Sequence, residues 1–159
     1  MASVDRYFDF VSPFAYLGSE QLGLLGPKTR IRYRPVLFAA LLGANGQKGP
    51  AEIAHKRVFT YRFPVWQARR LGIPFRMPPQ HPFNPLPTLR LSIAASNRPE
   101  AIDAIFQWIW AEGRAADSTE AENLADSRKF AAMLSTLAGM SKPTIARVQG
   151  AALGGGTGL

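Results

Sequence analysis

An apolar segment, residues 6–11, runs directly into Ser12 and Pro13, and this junction constrains the fold more than any other part of the sequence. The segment is rich in aromatic and β-branched residues without a helical period, which predicts a buried strand. Ser12 is a preferred helix N-cap residue, and proline suits the first helical position, so a helix is expected to begin at once. The junction therefore predicts a strand that leads into a helix with almost no connecting loop.

A second strand is predicted over residues 31–35, because Ile31, Tyr33 and Pro35 alternate there with arginines. Such alternation is typical of a strand with one wet face. Between the two strands, apolar residues fall near the 3.6-residue period of a helix until a Gly-Pro pair at residues 26–27 breaks the pattern. The chain is thus predicted to begin with a β-α-β unit.

The rest of the chain is predicted to be mainly helical. Residues 43–50 form a glycine-rich loop, the four prolines of residues 77–85 exclude a helix there, and Pro64 is expected to kink or restart the helix that contains it. The predicted helices span residues 51–71, 86–96, 99–113 and 120–138, and a short strand spans residues 144–148. One apolar stripe, formed by Ile102, Ile105, Phe106 and Ile109, indicates a core-facing helix.

Several kinds of chemistry are excluded by residue content. The chain has no cysteine, so disulfides, thiolate metal sites and cysteine nucleophiles are all excluded. Its two histidines, His55 and His81, lie in unrelated segments, so we expect neither a metal site nor a triad of Ser12, a histidine and Asp9. Asp9 lies on an apolar strand and is expected to be a hydrogen-bonded or pocket-facing acid.

The formal net charge of +8 is unevenly distributed. Residues 28–80 hold eleven basic residues and one acidic residue, whereas residues 98–128 hold seven acidic and three basic residues. The basic residues are interleaved with apolar ones, which favours a small anionic substrate over nucleic acid, although a solvated basic face remains an alternative. The apolar stretches fall far short of a membrane span, so a cytoplasmic protein without membrane contact is expected.

Seven blocks of the sequence resemble, in order and spacing, the 2-hydroxychromene-2-carboxylate isomerases. The blocks are YFDFVSPFAYL (7–17), RPVL (34–37), GQKGPAE (46–52), KR (56–57), LGIPFR (71–76), PFNPL (82–86) and AIFQWIW (104–110). These isomerases are relatives of the kappa-class glutathione transferases and of the DsbA thioredoxin-like group. The resemblance covers about residues 4–117. It implies an α/β fold with a thioredoxin-like β-α-β start and a helical insertion.

The resemblance also implies a function and a set of site residues. It implies a glutathione-dependent isomerase that acts on an anionic aromatic substrate in the degradation of aromatic compounds, with a homodimer as a possible assembly. By position, Ser12 corresponds to the serine that contacts the glutathione sulfur, and Lys48 and Lys56 to basic residues near the glutathione or substrate carboxylates. Asn45 is a displaced candidate for an asparagine contact to glutathione. No metal is implied.

From about residue 122 the chain instead resembles the crotonase (enoyl-CoA hydratase/isomerase) superfamily, through FAAML (130–134) and LAGMSKPTIARVQGAALGGG (137–156). In that family the glycine at Gly155 supplies one backbone N–H of an oxyanion hole. The partner N–H block is absent and Gly158 replaces a common acid/base glutamate, so Gly155 is expected to be vestigial. We therefore expect an isomerase-like part over residues 1–117 and a crotonase-like fragment over residues 118–159.

The isomerase resemblance lacks one further element. A Gly-Val-Pro-Thr block, whose cis-proline and backbone clamp glutathione in the family, does not occur in this sequence. We therefore expect a thioredoxin core that is incomplete at its C-terminal end and an isomerase that is truncated and impaired. Two alternatives stay open: a non-catalytic fusion or truncation product, and a protein related to the enoyl-CoA hydratases through its tail.

Overall fold

The computed structural model describes residues 2–116, which form two strands, five α-helices and several shorter helical turns. The elements are β1 (Ala2–Phe8), α1 (Pro13–Ser19), β2 (Thr29–Pro35), α2 (Phe38–Ala44), α3 (Ala54–Leu71), α4 (Leu86–Ala94) and α5 (Pro99–Phe106). Single 3₁₀ turns occupy Leu22–Leu25 and Pro50–Glu52, and α5 continues into a wider π-helical turn over Gln107–Ala111. The predicted helices at residues 120–138 and the strand at residues 144–148 lie outside the described residues.

β1 and β2 pair in parallel, and α1 lies in the connection between them. The register places Asp5 beside Arg32. On this exposed face the Asp5 carboxylate accepts two hydrogen bonds of 2.8 Å from Arg32 and one of 3.1 Å from Arg34, and these bonds hold its pKa below the usual range. The alternation of arginines in β2 is therefore confirmed as the wet face of a strand.

The opposite face of the sheet packs on an aromatic core. The Phe106 ring of α5 lies 5.9 Å from the Phe8 ring and 4.7 Å from the Phe10 ring, between centroids. The stripe predicted from residues 102–109 is confirmed, because all four of its side chains are almost completely buried. The core cluster consists of Phe8, Phe10, Tyr16, Leu17, Ala68, Phe83, Leu89, Ile102, Ile105, Phe106, Ile109 and Trp110.

An arginine on the inner face of β1 ties α1 to the sheet. Arg6 Nη2 donates to the backbone oxygen of Ala15 at 2.7 Å and to the Ser19 hydroxyl at 2.6 Å. Its guanidinium also lies 5.7 Å from the centroids of both the Tyr33 and Phe106 rings, within cation–π range. Burial lowers the pKa of this arginine, as expected when a cation is taken out of water.

The helix boundaries agree with the sequence-based expectations in most places and differ in three. Ser12 caps α1 and Pro13 is its first residue, as predicted, but α1 is shorter than the apolar pattern indicates and ends at Ser19. The short helix α2 was not predicted, because its residues are all apolar or glycine and give no contrast between a polar and an apolar face. Pro64 is buried inside α3, which continues across it, so the helix does not restart there.

Two glycines close their elements through left-handed backbone. Gly72 ends α3 with φ of 67°, and the next amide, that of Ile73, donates to the oxygen of Ala68 at 2.9 Å. Gly113 has φ of 71°, and a Cβ atom there would lie 2.9 Å from Arg76 Cβ. Only glycine therefore fits at this close approach after the π-helical turn. No helix within residues 2–116 is both long enough and apolar enough to cross a membrane.

The buried stripe of α5 leads to a stability prediction. Ile102→Ala is expected to lower the free energy of unfolding by about 2–5 kcal/mol, because it removes buried methyl groups and leaves a cavity. Ile102 is 0% exposed, whereas Ile93 of α4 is 57% exposed and offers a matched control. Ile93→Ala should change the unfolding free energy by less than about 0.5 kcal/mol. Urea denaturation of both variants checks this, and equal losses would contradict the assigned core.

Candidate functional site

The chain turns sharply between β1 and α1, and the Asp9 side chain organises this turn. Its Oδ1 accepts from the Val11 N–H at 3.2 Å, and its Oδ2 accepts from the Phe38 N–H at 2.8 Å at the start of α2. The Asp9 backbone oxygen accepts from the Ser12 N–H at 3.1 Å. Asp9 is 3% exposed and fully engaged, which confirms the expectation of a hydrogen-bonded acid.

Two side chains from distant segments hold the other side of the same turn. Trp110 Nε1 donates to the backbone oxygen of Phe10 at 2.9 Å, and His81 Nε2 lies 2.8 Å from the backbone oxygen of Val11. The peptide groups that join Phe10 to Val11 and Val11 to Ser12 are therefore each hydrogen-bonded through both their oxygen and their N–H. We call residues 9–12 the corner.

Ser12 lies at the end of the corner, where the backbone turns from extended to helical. Its φ and ψ are −94° and 114°, and its Oγ accepts from the Ala15 N–H at 3.2 Å. A serine hydroxyl has one proton to donate in addition to its acceptor lone pairs. The cap uses only the acceptor side, so the hydroxyl proton of this half-buried residue can be donated to a bound anion.

Lys48 and Lys56 line the same open pocket, which has a volume of about 450 Å³. The remaining lining residues are Phe38, Leu42, Gln47, Pro50 and Ile53. Most of the lining residues are apolar. The charged lining residues are the two lysines, and no acidic residue lines the pocket. A volume of this size and such a lining suit a small anionic ligand with an apolar part.

Phe38 connects this pocket to the corner. Phe38 lines the pocket, and its backbone N–H is the group that donates to Asp9 Oδ2. The structure thus brings Lys48 and Lys56 together and attaches their pocket to the turn that carries Ser12. Ser12 itself is not among the residues that line the pocket.

Asn45 is not among the residues that line the pocket. Asn45 follows the last residue of α2, and its side-chain amide donates to the backbone oxygen of Leu41 at 2.8 Å. This bond caps the C-terminal end of the helix and occupies one of the two N–H donors of the amide. Gly155 lies outside the described residues.

Burial sets the protonation behaviour of the two titratable groups at the corner. Burial raises the pKa of Asp9, and the hydrogen bonds from Phe38 and Val11 partly oppose this shift. Burial also lowers the pKa of His81, and the hydrogen bond to Val11 partly opposes it. A neutral imidazole at this place can still donate through Nε2, because a neutral histidine keeps one N–H.

The contacts of His81 and Trp110 with the corner were not predicted from the sequence. His81 was expected to be neither a metal ligand nor a triad member, and no role was predicted for Trp110. Each contacts a residue that is far away in sequence, so no local period or motif marks it. Within residues 2–116, no group of three or more His, Cys, Asp or Glu side chains is arranged to hold a metal ion.

Comparisons with known proteins agree on one fold family. The family model of the DSBA-like thioredoxin domain matches residues 3–141. A 2-hydroxychromene-2-carboxylate isomerase from Pseudomonas putida is 31% identical over 124 residues, which cover 72% of this chain and 59% of that protein. This chain therefore spans about three fifths of the length of the curated relative.

A solved structure of a 2-hydroxychromene-2-carboxylate isomerase is similar in fold. It superimposes with a TM-score of 0.62 and 24% sequence identity, covering 86% of this chain and 71% of the other. These matches bear out the thioredoxin-like α/β fold expected from the sequence. The family match continues beyond residue 117 and overlaps the first part of the segment that resembles crotonases.

The buried carboxyl of Asp9 leads to a prediction about pH. The folded-state pKa of Asp9 lies above the ordinary value of 3.8, so the folded protein holds this proton more tightly than the unfolded chain. The Asp9 contribution to the unfolding free energy therefore falls as the pH rises from the ordinary value through the folded pKa. The difference in stability between the wild type and Asp9→Asn should shrink as the pH rises from the ordinary carboxyl range through the raised pKa of Asp9.

Urea denaturation at several pH values measures this difference. Asp5→Asn is the control, because arginine contacts lower the pKa of Asp5 and its contribution has the opposite sign. The stability difference between the wild type and Asp5→Asn should grow as the pH rises over the same range. If the two variants show the same pH trend, the assigned protonation behaviour of Asp9 is wrong.

Proposed function

The chain belongs to the DSBA-like thioredoxin domain family, and on that basis we propose that it is derived from a glutathione-dependent isomerase of the 2-hydroxychromene-2-carboxylate type. The identity to the Pseudomonas putida isomerase supports the reaction class. The observation that carries the proposal is that Lys48 and Lys56 line one pocket, which Phe38 joins to the corner beside Ser12.

Ser12 is proposed to hold the sulfur of glutathione. When bound, glutathione would supply a thiolate, and the Ser12 hydroxyl would stabilise that thiolate by donating a hydrogen bond to it. A hydrogen bond to the charged form of a group lowers its pKa. Because the chain has no cysteine, this serine favours a thiolate without forming a mixed disulfide, which fits an isomerase better than a disulfide oxidoreductase.

Lys48 and Lys56 are proposed to bind carboxylates. Glutathione has two carboxylates and the proposed aromatic substrate has one, and ammonium groups form charge-assisted hydrogen bonds with such groups. The apolar walls, among them Phe38 and Leu42, suit the hydrocarbon part of either molecule. Asn45 is a weaker candidate, since it does not line the pocket.

Turnover of 2-hydroxychromene-2-carboxylate by this chain is expected to be weak or absent. The Gly-Val-Pro-Thr block associated with glutathione binding in the family does not occur in the sequence, so the peptide part of glutathione would lack its backbone clamp. A non-catalytic protein that keeps only the anion pocket is the second candidate. The two differ in whether added substrate is converted, which an absorbance assay with glutathione decides.

Binding of glutathione tests the pocket. Lys48→Gln and Lys56→Gln should each raise the Kd of glutathione roughly 3–10-fold, because each removes a charge-assisted hydrogen bond. Lys28→Gln removes the same charge at an exposed residue that does not line the pocket, and should leave the Kd unchanged. Isothermal titration calorimetry of the three variants and the wild type measures these effects.

Ser12→Ala separates the sulfur contact from the carboxylate contacts. It should raise the pKa of the bound glutathione thiol, measured by the ultraviolet absorbance of the thiolate, while S-methylglutathione binds as before.

Two outcomes would contradict these assignments. Equal weakening of glutathione binding by Lys48→Gln and Lys28→Gln would show that the net charge, and not the pocket, binds the ligand. An unchanged thiol pKa in Ser12→Ala would remove Ser12 from the site.

We also propose that the isomerase-like part ends near residue 117 and that residues 118–159 are a crotonase-like fragment without activity. Gly155 would offer a single N–H, whereas an enolate oxyanion needs two donors, and loss of one donor from an intact site already costs about 10²–10³ in rate. Acetoacetyl-CoA should therefore give no saturable heat of binding with the full chain. Saturable binding that is lost in a variant ending at Asp117 would show a working acyl-CoA site and contradict this proposal.

A further inference from the structure

We propose that His81 is a positioning residue for Ser12, which it holds in place through the backbone oxygen of Val11. This inference rests on the function proposed for Ser12. The oxygen of Val11 and the N–H of Ser12 belong to one peptide group. His81 Nε2 lies 2.8 Å from that oxygen, and the backbone oxygen of Asp9 accepts from that N–H at 3.1 Å.

The tautomer of His81 follows from its partner. A backbone oxygen can only accept, so His81 Nε2 must have the proton in this contact. The other ring nitrogen, Nδ1, lies 3.4 Å from the Tyr61 hydroxyl, and that hydroxyl donates to the His81 backbone oxygen at 2.8 Å. Tyr61 of α3 thus holds the backbone of His81 through its hydroxyl and contacts the imidazole through its ring.

Aromatic rings fix the imidazole on its remaining sides. The His81 ring makes edge-to-face contacts with the Tyr61 and Trp110 rings, each at 5.5 Å between centroids, and with the Phe83 ring at 6.2 Å. Trp110 also donates to the oxygen of Phe10, so the two rings that contact the corner also support each other. The imidazole is therefore a rigid donor, because its ring has little freedom to turn away from Val11.

Loss of this donor would free one side of the peptide group before Ser12. The group could then rotate, which changes ψ of Val11 and φ of Ser12 together. The Ser12 hydroxyl depends on these angles, because it caps α1 only with its backbone extended. His81 would thus determine where the hydroxyl points without touching the ligand.

Paired variants of the full chain separate the donor from the bulk of the ring. His81→Leu replaces the ring by an apolar side chain that has no hydrogen-bond donor. His81→Gln keeps an N–H donor of similar reach. The first readout is amide hydrogen exchange by NMR without ligand. In His81→Leu, the amides of Ser12 and Ala15 should exchange about fivefold faster relative to that of Leu17, as expected for one lost hydrogen bond.

The second readout is the thiol pKa of bound glutathione. It should rise in His81→Leu and return towards the wild-type value in His81→Gln, and a role in packing alone would not produce that rescue. If His81→Leu does not fold, Tyr61→Phe replaces it, since loss of the hydroxyl loosens His81 and should accelerate exchange at Ser12 and Ala15 to a smaller extent.

The outcomes are distinguishable from failure of the proposed function. If the wild type binds no glutathione, the proposed function fails, and the exchange measurement by itself decides the role of His81. If His81→Gln and His81→Leu accelerate exchange equally, or if neither changes the amides of Ser12 and Ala15 relative to Leu17, the positioning role is overturned. Rescue of both readouts by His81→Gln supports it.

Discussion

Two consecutive peptide groups at the corner, from Phe10 to Ser12, organise the described part of this protein. Side chains of Asp9, His81 and Trp110 hold them, and these residues come from the end of β1, the proline-rich connection and the π-helical turn. Asp9 and Phe10 are buried and Val11 and Ser12 are partly buried, so these contacts replace hydrogen bonds that the backbone groups would otherwise make with water. The corner therefore couples three separate parts of the chain.

The same contacts attach the candidate site to the core. Asp9 reaches Phe38 at the beginning of α2, and α2 leads to the loop that carries Lys48. On the other side, Ser12 begins α1, and Arg6 holds α1 against β1 and the core. The proposed sulfur contact and the proposed carboxylate contacts thus lie on either side of one buried aspartate.

The basic residues between positions 28 and 80 lie in different surroundings. Arg32 and Arg34 share Asp5 across the sheet, in exposed ion pairs of the kind that contribute little to stability. Lys48 and Lys56 line an open pocket that has no acidic residue in its lining, which supports the proposed anion site. The solvated arginine face and the proposed anion site lie on different elements.

Local sequence was sufficient for the elements whose determinants lie close together along the chain. The Ser-Pro pair at residues 12–13 determined the beginning of α1, the alternation in β2 determined its wet face, and Gly72 determined the end of α3, because capping and alternation depend on neighbouring residues. Only the tertiary structure decided that His81 and Trp110 bond to the corner, since they lie 70 and 100 positions away from Val11 and Phe10. A donor at that distance leaves no periodic signal, because its partner is set by how the core packs and not by the chain around it.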